Sequence, residues 1–226
     1  MGYEVVLVSS GAIAVGRNKL NMTSKPDSMR MKQAAAAVGQ CSLMYLYDKF
    51  FGDYDKTVAQ ILLNAEDIEQ EEKKENLINT FNALLEMGVI PIVNENDSVS
   101  YKEIESEDRL FGDNDMLSAV VAVLCRARHL VILSDIDGFY DHDPRLYPNA
   151  KLIEQIDTID DSVYALAGGA GSRRGTGGMR TKLEAAKICM DAGLDMIITN
   201  GQKPEALYSI LDNESMGTRF VAKKGA

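Results

Sequence analysis

Positive charge is in short supply in this chain. Lysine and arginine together number 24 against 34 aspartates and glutamates, for a formal net charge of -10 over 226 residues, and the basic residues are scattered with no stripe among them. Nucleic-acid binding leans on clustered Lys and Arg at the phosphates, so the composition argues against that partner class. Long apolar runs are also missing: none approaches the ~20 residues needed to span a bilayer, and the first residues lack the charged-then-apolar order of a signal peptide. A soluble cytoplasmic protein is expected. Cysteine is limited to Cys41, Cys125 and Cys189, odd in number, widely spaced and embedded in apolar helical patterns. They read as buried thiols of a reducing compartment, neither a disulfide framework nor a zinc site. Histidine is scarcer still, with only His129 and His142. His129 opens an apolar strand and reads as structural, whereas His142 sits in a turn-like segment.

With 46% hydrophobic side chains, the chain can bury a full core, and one large α/β domain is expected over two small ones. Val5 to Val8 reads as a buried strand that ends in Ser9-Ser10-Gly11. Met31 to Phe51 reads as a helix closed by Gly52, and Thr57 to Leu63 as the next strand. Leu77, Phe81, Leu84 and Leu85 recur at helical spacing before Gly88, and Val89 to Val93 forms a strand that runs into Asn94-Glu95-Asn96-Asp97. Pro91 within it removes one ladder donor. Met116 to Arg126 reads as a helix, His129 to Leu133 as a strand ending at Ser134-Asp135, Leu183 to Ala192 as a helix closed by Gly193, and Met196 to Thr199 as a strand. Such alternation implies a largely parallel sheet with helices on both faces. Between Ser98 and Phe111, the run Tyr101 to Arg109 is charged and aperiodic and reads as a mobile surface loop flanking a site.

The most telling segment is Gly175-Thr176-Gly177-Gly178-Met179-Arg180-Thr181-Lys182, a glycine-rich turn placed directly before a helix that carries a lysine. Glycines allow backbone N–H groups to approach phosphate oxygens, the helix start presents unpaired N–H groups, and the lysine adds a mobile positive charge. Ser9-Ser10-Gly11, Asn94 to Asp97 and Gly112-Asp113-Asn114-Asp115 add small polar and acidic clusters, two of them at strand ends, where open α/β sheets build their sites. Phosphoryl transfer needs charge neutralisation and alignment more than covalent chemistry from the protein. A carboxylate acceptor is already ionised at neutral pH and needs no base, which suits a chain with two histidines. For the acidic residues the plainer alternative is helix capping: Asp113 or Asn114 before Met116, Asp97 at a turn, Ser10 before a helix near Ala12, and Asp135 in a turn before Gly138.

Val8 to Ile13, Ala37-Val38-Gly39-Gln40, Gln60 to Leu63, Ile92 to Asp97, Gly112 to Asp115, Ser134 to Tyr140 with Asp143-Pro144-Arg145, and Gly175 to Lys182 occur together and in order. In that combination the chain resembles the amino acid kinase family, and within it the glutamate 5-kinase group. The resemblance covers nearly the whole chain. It implies an αβα sandwich with a mostly parallel sheet, ATP with Mg2+ as phosphoryl source, and phosphorylation of the side-chain carboxylate of L-glutamate in proline biosynthesis. It further implies an acyl phosphate passed to a glutamyl phosphate reductase, proline as feedback inhibitor, and a homo-oligomer. Carried over by motif, Ser10, Asp97 and Asn114, with Asp113 beside them, would bind glutamate. Ser134, Asp135 and the loop of Thr176, Gly177, Gly178, Met179, Arg180, Thr181 and Lys182 would bind ATP. Asp115 would orient the catalytic lysines, and Lys182 would neutralise charge on the transferred phosphoryl group.

Two departures accompany the resemblance. Members of the family begin with a strand whose lysine and glycine turn contact the ATP phosphates, and nothing before Val5 supplies it; many bacterial members also carry a C-terminal PUA domain. The expectation is a single amino acid kinase domain over residues 1–226 that lacks the first strand and the PUA domain. Other members, such as uridylate or acetylglutamate kinases, and a non-catalytic module that binds nucleotide or amino acid on the same scaffold, are the competing readings.

Overall fold

The computed structural model describes residues 2–99, 114–167 and 177–222, and these fall into two compact units, Met1–Leu117 and Ser118–Ala226. In the first unit the elements are β1 (Leu7–Val8), α1 (Ala12–Lys19), α2 (Met29–Gly52), β2 (Val58–Leu63), α3 (Ala65–Glu69), α4 (Glu71–Glu86), β3 (Ile90–Glu95) and the start of α5 (Asn114–Leu124). Its three strands are all parallel and lie in the order β1-β3-β2. Ile92 and Val93 of the central strand are fully buried, as are Leu63 and Phe81 nearly so, which is why these short apolar runs hold as strands against α4.

Pro91 sits inside this central strand, paired with Ala59. Its neighbours explain the tolerance. Ile90 donates its N–H to Thr57 on the β2 side at 2.9 Å, and Val93 accepts from Ser9 on the β1 side at 2.8 Å. Alternation along the strand therefore turns the missing N–H of Pro91 toward β1, which begins only opposite Ile92. No ladder bond is lost.

The α1/α2 pair is held by small residues. A Cβ added to Gly16 would lie 1.7 Å from the Ala35 carbonyl oxygen, and one added to Gly39 would lie 1.8 Å from that of Ala12. The two backbones touch directly there, with Ala35 and Ala36 buried beside them. Gly88 and Gly193 end their helices at φ 71° and 79°, the left-handed conformation that glycine adopts without steric cost.

The second unit continues α5 and adds β4 (His129–Ser134), β5 (Gln155–Ile156), α6 (Asp161–Ala167), α7 (Gly177–Asp191), β6 (Asp195–Asn200), α8 (Ala206–Leu211) and β7 (Thr218–Phe220). The strand order is β4-β6-β7-β5, parallel at β4/β6 and β5/β7 and antiparallel at β6/β7. β5 and β7 are too short and polar to show in the hydrophobic pattern. They are fixed by tertiary bonds: Thr218, fully buried, accepts from the Phe139 N–H at 2.7 Å and donates to the Ile153 carbonyl at 2.6 Å. The core of this unit gathers Leu183, Ala186 and Cys189 of α7 with Met196 and Ile198 of β6. Among the described residues no helix is long and apolar enough to cross a membrane.

Two expectations need correcting. Cys41 is exposed, not buried, because it follows Gln40 on α2 and turns away from the face that Ala36 and Gly39 bury. Burial instead pushes the Cys125 thiol up to about 11 and that of Cys189 up to about 12, which keeps both protonated and unreactive. The first strand is also shorter than the apolar run, Leu7–Val8 in place of Val5 to Val8, since Val5 is half exposed.

His129 is structural, as its place at the start of β4 suggested. Its Nδ1 is buried without a hydrogen-bond partner. Burial, followed by the nearby Arg219 guanidinium, lowers its pKa below the usual imidazole value, with Asp195 opposing. A histidine with a lowered folded pKa contributes stability above its unfolded pKa, and that contribution is lost as pH falls toward the folded value. The expected result is that His129→Leu loses less melting temperature than wild type between about pH 7 and about pH 5. Thermal melts across that range check it, and parallel slopes would count against it.

Candidate active site

Parallel pairing of β1 with β3 brings their C-terminal ends to one edge of the first sheet, so the segments after Val8 and after Val93 are neighbours. Side-chain amides lock this edge. Asn94, buried, donates from Nδ2 to Gln40 Oε1 at 2.9 Å, and its Oδ1 accepts from the Glu95 N–H at 2.9 Å. Asn114, the first residue of α5, donates from Nδ2 to the Ser9 carbonyl at 2.7 Å and to Asn94 Oδ1 at 3.4 Å. The hydroxyls of Ser9 and Tyr47 lie 2.8 Å apart. Two strand ends, α2 and the start of α5 are thereby tied in one polar network, and such a network is costly to leave half satisfied.

Capping does not account for Ser10. The residue before α1 is Gly11, at φ 96° and without any side-chain cap bond, so Ser10 is not a helix cap. At the turn after β3, it is Asn96 that accepts, from the Val99 N–H at 3.1 Å and the Ser98 hydroxyl at 2.7 Å. Asp97 is the next residue of that turn. Ser10, Asn94, Glu95, Asp97 and Asn114 line a cavity of about 470 Å³, a volume suited to a small polar metabolite. Gly11 to Ala14 of α1 form part of the same wall, and three cations complete it: Arg17, Lys25 and Lys32. None of the three was singled out from sequence. Lys32 follows Met31 in the α2 pattern and Lys25 lies between helices, and nothing in their spacing marked them as facing Asp97. Gln40 closes the Ala37 to Gln40 motif, and its role in orienting Asn94 is visible only in the fold.

The residues expected at the nucleotide lie in the second unit. Ser134 ends β4, its carbonyl accepting from the Gly201 N–H at 2.8 Å. Asp135 follows and pairs with Arg145 at 3.0 Å, a contact that joins two motifs read separately in the sequence. Both partners are well exposed, so the pair contributes little to stability. Asp137 lies close by, accepting from Asn200 at 2.9 Å. α7 starts at Gly177, so Gly177, Gly178, Met179, Arg180, Thr181 and Lys182 form the first turns of the helix rather than a turn before it. Lys182 Nζ donates to the Gly178 carbonyl at 3.3 Å, and the Thr181 hydroxyl to the same oxygen at 3.1 Å. Asp115 stands in the first turn of α5, where a carboxylate suits the helix dipole. Asp113 and Thr176 lie outside the described residues. No group of three His, Cys, Asp or Glu side chains that could hold a metal occurs among the described residues.

Residues 1–200 match the family profile described as the amino acid kinase family. The chain is 57% identical over 225 residues to a glutamate 5-kinase of Clostridium perfringens, covering all of this chain and 83% of that protein. It is 50% identical over 223 residues to a glutamate 5-kinase of Listeria innocua, covering 99% of this chain and 80% of that one. Among solved structures, the isopentenyl phosphate kinase of T. acidophilum shares the fold at a TM-score of 0.61 and 17% identity, over 96% of this chain and 83% of that one. A carbamate kinase from Giardia lamblia bound to AMP-PNP gives 0.58 and 19%, over 98% and 84%.

Proposed function

The chain belongs to the amino acid kinase family, and from that premise we propose that it transfers the terminal phosphoryl group of ATP to the side-chain carboxylate of L-glutamate, giving L-glutamyl 5-phosphate, the first step of proline biosynthesis. The observation that carries this reading is the cavity in which Ser10, Asp97 and Asn114 converge, in a chain 57% identical to a glutamate 5-kinase. We read residues 1–226 as one domain of the family.

In this reading Asp97 pairs with the α-ammonium of glutamate. Asn114 donates from its Nδ2 to the Ser9 carbonyl and to Asn94, so its Oδ1 is the atom that accepts a second ammonium hydrogen. Ser10, exposed at the end of β1, donates to the acceptor. The side-chain carboxylate is the nucleophile and is ionised at neutral pH, so no general base is required. Ser134 and Asp135 hold the nucleoside, while the N–H groups at the start of α7 and the Lys182 ammonium meet the phosphates. Asp115 is assigned to orienting the catalytic lysines. Mg2+ would be held chiefly through the phosphates of the nucleotide that the start of α7 and Lys182 receive, and would neutralise charge on the transferred group. The product is an acyl phosphate for a glutamyl phosphate reductase, and proline, which shares the ammonium and carboxylate of glutamate, is the expected feedback inhibitor.

The test is ATP consumption with glutamate, aspartate, acetylglutamate and UMP in parallel. Turnover should be specific to glutamate. Acetylglutamate has no ammonium to offer Asp97, so preference for it would reject the reading. Asp97→Ala should raise the KM for glutamate about ten- to a hundredfold, the worth of one charge-assisted bond, and leave the KM for ATP nearly unchanged. An unaltered glutamate KM would remove Asp97 from the site.

A further inference from the structure

We propose that Arg17 and Lys32, with Lys25 at the rim, form a cationic wall that holds the α-carboxylate of the acceptor amino acid. This rests on reading the cavity as the glutamate site, and it concerns residues that the motifs did not mark. All three line the cavity that contains Asp97, Glu95 and Asn114.

Helix geometry places Arg17 there. Ile13, Ala14 and Arg17 stand three and four residues apart on α1 and line the cavity together, as the helical repeat dictates. Gly16, on the adjoining face, meets the α2 backbone and sets how closely α1 approaches it. Lys32 belongs to the opening of α2, where its N–H bonds to the Ser28 carbonyl at 3.0 Å. A cation near a helix N-terminus opposes the helix dipole, and α2 carries no acidic residue in its first turn to offset it. The helix gains nothing from a lysine in that position.

Nor do the three cations find partners within the described protein. Arg17, Lys25 and Lys32 make no ion pair or side-chain hydrogen bond among the described residues, so each can turn to a ligand. Arg17 and Lys32 are half-buried and Lys25 is exposed, so the first two are less screened by solvent and carry most of the interaction. What sets the three apart is their place: in a chain of net charge -10, all three line one cavity.

Charge complementarity points to the ligand. Among the described residues of the lining, three cations stand with the two carboxylates Glu95 and Asp97. Glutamate at neutral pH carries two carboxylates and one ammonium, a surplus of one negative charge. With Asp97 on the ammonium and the side-chain carboxylate reacting, the α-carboxylate requires its own cation. Arginine supplies a planar fork that matches a carboxylate with two parallel bonds, and lysine adds a point charge. The wall thus makes the enzyme specific for a free α-amino acid, because an α-amide or α-ester would leave the cations uncompensated.

The experiment compares glutamate with its α-amide. Calorimetric binding and kcat/KM are measured for wild type, Arg17→Met, Lys32→Met and Arg17→Lys, with melting temperatures to confirm folding. Wild type should prefer glutamate over the α-amide by about tenfold or more. Each methionine variant should lose about ten- to a hundredfold in glutamate affinity, with little change for the α-amide, and Arg17→Lys should retain most of the preference. An undiminished preference in both methionine variants, or equal losses for the two ligands, would overturn the proposal. Failure of wild type to turn over glutamate would instead reject the functional reading, and the binding comparison would still decide whether the wall recognises an α-carboxylate.

Discussion

Lys182→Met is expected to lower kcat by about a hundred- to a thousandfold while leaving glutamate binding nearly untouched, the loss seen when one preorganised charge is removed from a transition state. Lys182 lies one turn into α7, with its Nζ 3.3 Å from the Gly178 carbonyl. The helix start contributes N–H groups that are fixed in place, and the lysine is the mobile charge among them. A charge directed at a phosphoryl group in flight acts mainly in the transition state, so the defect should fall on kcat more than on KM. The competing account makes Lys182 an ordinary helix cation that caps a carbonyl. That account predicts wild-type turnover together with a slightly lower melting temperature. Single-turnover kinetics, with the melt beside them, separate the two, and full turnover in the variant would remove Lys182 from the machinery.

Gly39→Ala is expected to be among the most destabilising single substitutions in the chain. The added Cβ would lie 1.8 Å from the Ala12 carbonyl oxygen and 2.6 Å from the Gly16 nitrogen, and these are backbone atoms of a neighbouring helix that no rotamer change can move. Overpacking against side chains costs about 1–3 kcal/mol, and here α1 itself must shift, so the cost should reach the top of that range or exceed it. Gly16→Ala meets the Ala35 carbonyl at 1.7 Å and should behave alike. Gly52→Ala is the control: nothing lies within 4 Å of its added Cβ, and the gain in helix propensity is about 0.5–1 kcal/mol. Urea unfolding should therefore place Gly39→Ala and Gly52→Ala on opposite sides of wild type. Equal stabilities for the two would show that the helices separate without penalty. Because α1 also carries Arg17, any Gly39→Ala protein that does fold should bind glutamate less well.

The legibility of the molecule in its sequence varied with element length and with the reach of the contacts. Long segments were plain. α2, with its 24 residues, and the apolar strands β2, β3 and β4 lie within two residues of where periodicity placed them, because burial of a continuous face leaves a repeating pattern. β7, with three residues, left none, since Thr218 is buried through its hydrogen bonds and not through apolar character. The antiparallel pairing of β6 with β7 was correspondingly invisible in a reading based on βα alternation.

The site divides in the same manner. Ser10, Asp97 and Asn114 were identified by motif, and the structure brings those three to one cavity. The cations opposite them, the Gln40 amide that fixes Asn94, and the Arg145 that pairs with Asp135 had no local signature. By itself the sequence determined the family, the α/β alternation, the placement of polar clusters at strand ends, and the acidity that argues against nucleic acid. Those properties are written in spacing and composition. Only the tertiary structure decided that Gly16 and Gly39 must be glycine, that the missing donor of Pro91 costs no ladder bond, and which side chains share the cavity with Asp97. These depend on the crossing of two helices and the register of parallel strands, and contacts between residues tens of positions apart leave no periodic trace in the chain.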